Sequence, residues 1–152
     1  MKLISHRGNI TGPVPELENK PSYIDSAIGK GYFVEVDLRE VGGELFLGHD
    51  EPQYLVDVDW LLTRKDNLYV HVKDCSTLDF VLSFASLSKL NFFYHDSDDA
   101  VLTSTGEVWV HPNSDPIGGS IFVMPENRAF TKDHLIKVNC SGVCSDYIQS
   151  FK

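Results

Sequence analysis

Two carboxylates stand two residues apart in Val34-Glu35-Val36-Asp37-Leu38. In an extended strand they project to one side, and Val34, Val36 and Leu38 to the other. Buried together, such a pair must share a proton, meet a cation or coordinate a metal, and oxygen ligands of this kind suit magnesium, calcium or manganese. An isolated Glu-x-Asp is more often the solvated face of an edge strand, but apolar residues flank this one and three comparable stretches accompany it. His6 and Arg7 close the run Leu3-Ile4-Ser5, His49 and Asp50 follow Leu45 to Gly48, and His71 and Lys73 share a face in Tyr69-Val70-His71-Val72-Lys73. Each puts ionisable residues at or near the downstream end of an apolar strand. In a parallel α/β barrel those ends meet on one face, where chemistry is done. His95, His111 and His134 lack such company and read as structural or surface residues.

The elements that must position these residues are mostly strands. Apolar, β-branched runs predict them at Lys2 to Ser5, Tyr32 to Leu38, Glu44 to Asp50, Asn67 to Asp74, Asn91 to Asp96, Gly106 to Pro112, Ser120 to Pro125 and, weakly, Ser141 to Tyr147. Helical spacing and stop signals predict a helix over Pro21 to Lys30, another over Thr77 to Leu87, and short ones over Thr131 to Lys137 and ahead of Asn67. Gly42-Gly43 reads as a tight antiparallel hairpin. Asn19, just ahead of Pro21, suits a helix cap.

The 152 residues, 42% hydrophobic and 23% charged, suit one folding unit with no linker or repeat, so residues 1–152 read as a single domain. A formal charge of −9 excludes broad capture of a nucleic-acid polymer. No run approaches a bilayer span, and Leu3-Ile4 is too short for a secretory signal, so a cytoplasmic protein without integral membrane association is expected. Cys75, Cys140 and Cys144 form no metal or disulfide pattern and read as buried or half-buried.

In their order, His6-Arg7, Glu18-Asn19, Glu35-x-Asp37 and His49-Asp50 resemble the motifs of the glycerophosphodiester phosphodiesterase family, of the phosphatidylinositol-phospholipase-C-like TIM-barrel superfamily. The likeness lies in the first third of the chain; Gly142 to Ile148 faintly resembles the family's last strand. The resemblance implies metal-dependent hydrolysis of a small phosphodiester, glycerophosphodiester-like or related. His6 and His49 would be the catalytic acid-base pair, Glu18, Glu35 and Asp37 the metal ligands, and Arg7 and Lys73 the phosphate contacts. The chemistry of the residues agrees: histidine can act as acid or base near neutral pH, and a guanidinium offers phosphate a planar fork. Asp50 would orient His49 or cap a turn. The alternative is a catalytically reduced phosphate- or phosphodiester-binding protein.

Two departures shape the expectation. The family commonly carries Glu-x-Lys on its third strand, where this chain has His71-Val72-Lys73. His71 as a ligand leaves Mg2+ as the first choice of divalent ion, with Ca2+, Mn2+ or Zn2+ as alternatives. The chain is also short for eight βα units. The fold expected is therefore an α/β, reduced TIM-type (β/α) barrel with several outer helices shortened or missing. Phe92, Phe93, Trp109, Ile121 and Phe122 would then be covered by a second subunit in a homo-oligomer.

Overall fold

A computed structural model describes residues 1–152. Seven strands run parallel in the spatial order β6 (Phe92–Tyr94), β5 (Leu68–Val72), β2 (Phe33–Val41), β1 (Lys2–His6), β10 (Gly142–Ser145), β9 (Ile121–Val123) and β8 (Val108–Val110). Three more join them antiparallel: β3 (Glu44–Leu47) and β4 (Tyr54–Val56) continue from the far half of β2, and β7 (Ala100–Leu102) pairs with β8. Gly42 and Gly43, both at positive φ, make the expected β2–β3 hairpin.

The result is a curled, mixed ten-stranded sheet, a half-barrel with four short helices: α1 (Pro21–Gly29), α2 (Val58–Thr63), α3 (Cys75–Ser83) and α4 (Lys132–Val138). This corrects the expectation of a reduced TIM-type barrel. No ladder joins β6 to β8, so the sheet does not close, and the β7–β8 hairpin stands where a crossover helix would be needed. The segments that join β6 to β7 and β7 to β8 are each about five residues long, enough for a hairpin and too short for a crossover helix.

Strand alternation sends two sets of side chains to opposite faces. Val34, Val36, Leu38, Val70, Val72, Phe122 and Val143 form the larger core with Ile24 and Ala27 of α1, Val81 of α3 and Leu135 of α4. On the concave face Ile4, Tyr69, Phe93, Trp109, Ile121, Val123 and Cys144 form a second cluster. Of the residues expected to need a second subunit, Phe93, Trp109, Ile121 and Phe122 are buried within the chain itself and Phe92 is half-buried, so they give no reason for an oligomer. Cys75 is exposed, contrary to expectation, while Cys140 and Cys144 are buried. No helix is long and apolar enough to cross a membrane.

Candidate metal and phosphate site

The concave apolar cluster forms the floor beneath a set of ionisable residues. Continuing the alternation one step past Ile4, Phe33, Tyr69, Phe93 and Trp109 gives His6, Glu35, His71, His95 and His111, all on the same face near the strands' carboxyl ends. They line one cleft of about 470 Å³, shared with Arg7, His49 and Lys73.

Local backbone geometry aims the first motif. After His6 the chain turns sharply, with Arg7 at φ 53° and Gly8 at φ 97°. A Cβ on Gly8 would lie 2.5 Å from Cδ1 of Tyr23, so only glycine fits beneath that ring. The turn is tied down by Arg7 N–H donating to Glu35 O (3.0 Å) and Asn19 N–H donating to Arg7 O (3.1 Å). The His49 motif is fixed similarly: Gly48 sits at φ 157° against the Glu51 carbonyl, and the Arg39 guanidinium donates to Gly48 O (3.0 Å) and to His49 O. His49 Nδ1 and Asp50 Oδ1 are 2.7 Å apart, the orienting contact expected, and the His49 side chain is 41% exposed at the cleft mouth.

Glu35, Asp37 and His71 are buried, and one ligand atom from each falls within 4.8 Å of the others, so the group could hold a metal ion. Glu35 Oε2 is buried without a hydrogen-bond donor, the condition a cation would relieve; Asp37 Oδ1 also lacks a hydrogen bond but already lies 3.3 Å from the Lys73 ammonium. Two carboxylates and one imidazole suit a small divalent ion, and the nitrogen donor weakens the case for calcium while leaving magnesium, manganese and zinc. His71 Nδ1 lies 3.3 Å from Asp37 Oδ1 and 3.7 Å from Glu35 Oε1. Glu18, expected as a third acidic ligand, stands apart from this group. It accepts from Arg7 Nη1 (3.2 Å) and from Asn9 Nδ2 (2.9 Å), and so braces the arginine.

Positive groups surround the acidic pair. Arg7 Nε is 2.9 Å from Asp37 Oδ2, an ion pair at an angle too poor for a hydrogen bond, and Lys73 Nζ is 3.3 Å from Asp37 Oδ1. Burial alone would raise the Asp37 carboxyl, but His71, Arg7 and Lys73 hold it well below the ordinary carboxylate range. Burial likewise opposes charging of His71, and the Asp37 and Glu35 carboxylates overcome it, so its value is raised. Burial also opposes His6, yet the hydrogen bond to Asp146 and the charge of Glu35 raise it above 6.5. His95 behaves oppositely: burial and then the charges of His71, His111 and Lys73 push it down to about 4. Burial lowers His111 too.

Four residues to which the sequence assigns no role at the site contribute to it. Asp146, just beyond β10, meets His6 Nδ1 at 2.8 Å and accepts from Asn9 Nδ2 at 2.8 Å, fixing the ring so that Nε2 turns towards Glu35. Asn19 is no helix cap: the residue preceding α1 is Lys20, and the Asn19 amide donates to Asp37 Oδ2 (2.8 Å) while its oxygen accepts from Asp37 N (2.9 Å). His95 and His111, expected to be structural or surface residues, line the cleft; their signal is the one used for His6, a histidine ending an apolar strand. His134 is exposed, as expected. Comparison with protein-family models, curated proteins and solved structures finds no match in any of the three.

Proposed function

We propose that the protein is a metal-dependent phosphodiester hydrolase. The observation that carries the reading is the single cleft that His6, Arg7, His49 and Lys73 line together with Glu35 and His71, which form one group with the fully buried Asp37. The likeness of its motifs to those of glycerophosphodiester phosphodiesterases supports it from the sequence side.

In this reading Arg7 and Lys73 hold the phosphate by charge, and the Arg7 fork fixes its orientation. One of His6 and His49 removes the proton from the attacking hydroxyl, either water or a hydroxyl neighbouring the phosphate on the substrate. The other delivers a proton to the departing alcohol oxygen as its bond to phosphorus breaks. A hydroxyl of the substrate as nucleophile gives a cyclic phosphodiester. Asp146 keeps the His6 ring aimed and favours its charged form, and Asp50 does the aiming for His49. A divalent ion at Glu35, Asp37 and His71, Mg2+ first and Mn2+ or Zn2+ next, would supply positive charge to the phosphate oxygens.

A second reading, a phosphate-binding protein without turnover, draws on one feature: Asp37 already has Arg7, Lys73 and Asn19 as partners. The experiment that separates the two is cleavage of glycerophosphodiesters and bis(p-nitrophenyl) phosphate with added Mg2+ or Mn2+. His6→Ala and His49→Ala should each lower turnover by roughly 10²–10⁴-fold, the scale of a positioned acid or base. Full activity in His6→Ala refutes its role, and phosphate binding without cleavage by the parent favours the second reading.

A further inference from the structure

The two halves of the cleft differ in chemistry. The groups contributed by β1, β2, β5 and the Gly48–Asp50 turn are ionisable: His6, Arg7, Glu35, His49, His71 and Lys73. The wall from β6, β8, β9 and their ends is made of Phe93, His95, Trp109, His111, Val123 and Met124, with exposed Asp96 as its one acidic residue and no lysine or arginine. We infer that this second wall is a subsite for a flat heteroaromatic group, and hence that the substrate class is a nucleotide-like phosphodiester. This rests on the reading of the first half as a phosphate site.

Three features of the wall select that occupant. Its rings form one packed layer, with His71 on Phe93 at 4.9 Å and 13°, His71 on His95 at 4.6 Å and 17°, and Phe93 tilted 30° against Trp109 at 4.6 Å; Phe93 and Trp109 are only 3% and 2% exposed, so half-buried His95 is the ring left to receive a flat ligand. Flat rings stacked on aromatic side chains gain from face contact whatever their sequence of heteroatoms. Second, His95 Nδ1 and His111 Nε2 are buried with no hydrogen-bond partner, on rings 3.7 Å apart. An acyl chain would leave such polar atoms unpaired at a cost, whereas a nucleobase carries donors and acceptors on its edge. Third, a cleft of about 470 Å³ holds a mononucleotide-sized molecule, within the range of small-ligand sites, and is short for a long acyl chain.

The test is binding, which needs no turnover. Trp109 and Trp60 are the two tryptophans, so Trp109 fluorescence can be followed in a Trp60→Phe background. Adenosine 5′-monophosphate, glycerol 3-phosphate and phosphocholine are the probes. The nucleotide should bind at least about tenfold tighter than either of the others, equal to ~1.4 kcal/mol, and should quench Trp109. In His95→Ala/His111→Ala the ratio should fall towards one. Equal affinities in the parent, or tighter binding of phosphocholine, overturn the heteroaromatic subsite while leaving the phosphate site standing. Failure of all three probes to bind, with no cleavage of bis(p-nitrophenyl) phosphate, overturns the phosphate site and the subsite together. The parent's affinity ratio decides the matter even if the double variant does not fold.

Discussion

Replacing Asn19 with alanine tests how the acidic pair is held in place. Asn19 is 1% exposed and grips Asp37 twice, donating to its carboxylate at 2.8 Å and accepting from its backbone N–H at 2.9 Å. Alanine removes a hydrogen bond to a charged group, about 1.5–3 kcal/mol, and strands a buried amide N–H, about 1–3 kcal/mol. Asn19 also sits at φ 62°, a left-handed conformation that alanine tolerates less well, by about 1 kcal/mol. These contributions overlap, and the expected loss is about 3–5 kcal/mol, a large part of the 5–15 kcal/mol typical of a domain. With a urea slope of about 2 kcal/mol per molar the unfolding midpoint should fall by about 2 M. Asn19→Gly relieves the backbone and should recover about 1 kcal/mol of that. A helix-capping residue would cost only ~1 kcal/mol, so a midpoint shift of about 0.5 M or less for Asn19→Ala refutes the clamp on Asp37.

Glu35→Gln and Asp37→Asn should each weaken binding of Mg2+ or Mn2+ by at least about tenfold in calorimetry, since an amide lacks the charge that holds a hard ion; unchanged affinity in both would count against the site. The Asp146–His6 pair makes stability depend on pH in two directions. Asp146 is held below its ordinary 3.8, because its hydrogen bond to His6 overcomes a burial that would raise it, so its contribution is present above that value and lost as pH falls through the folded one. His6 is raised above 6.5, so its contribution is complete below that value and lost as pH rises through the folded one. Urea unfolding should therefore show the stability gap between the parent and Asp146→Asn widest between 3.8 and 6.5; a gap independent of pH would contradict the pairing. At the opposite end of the sheet, burial pushes the Tyr69 phenol up to about 12, with Lys2 opposing and Glu107 adding to the shift. Near-ultraviolet titration should lose its highest step in Tyr69→Phe, and a Tyr69 step near 10 would contradict this environment.

Much of the site was legible because strand alternation is strictly local. Glu35 and Asp37 share a face because their spacing is two, and Val34, Val36 and Leu38 mark the other face as buried. Gly42-Gly43 announced its hairpin through residues that tolerate positive φ. What stayed hidden was non-local. Asp146 is 140 positions from His6, and the two meet only because β10 lies beside β1. Asn19 precedes a proline-started helix and so carries a local explanation, the cap, while its buried amide serves a strand 18 positions away. β4 and β7 are three-residue strands, each paired antiparallel with a single neighbour, and runs so short carry no periodic signal. A reduced TIM-type barrel was expected from the resemblance carried by His6-Arg7, Glu18-Asn19, Glu35-x-Asp37 and His49-Asp50; the hairpin arms, which those motifs do not report on, leave the sheet curled but open.

In the proposed function the cleft joins a divalent ion to phosphodiester cleavage through His6 and His49. The most direct test of this function is a titration of chelator-stripped protein with Mg2+ or Mn2+, following cleavage of bis(p-nitrophenyl) phosphate and metal binding on the same samples, for the parent and Asp37→Asn. No cleavage is expected without metal; cleavage should rise in step with occupancy in the parent, and both curves should move to higher metal concentration in Asp37→Asn. Cleavage that persists undiminished after chelation, or metal that binds without any cleavage of the diester, would contradict it.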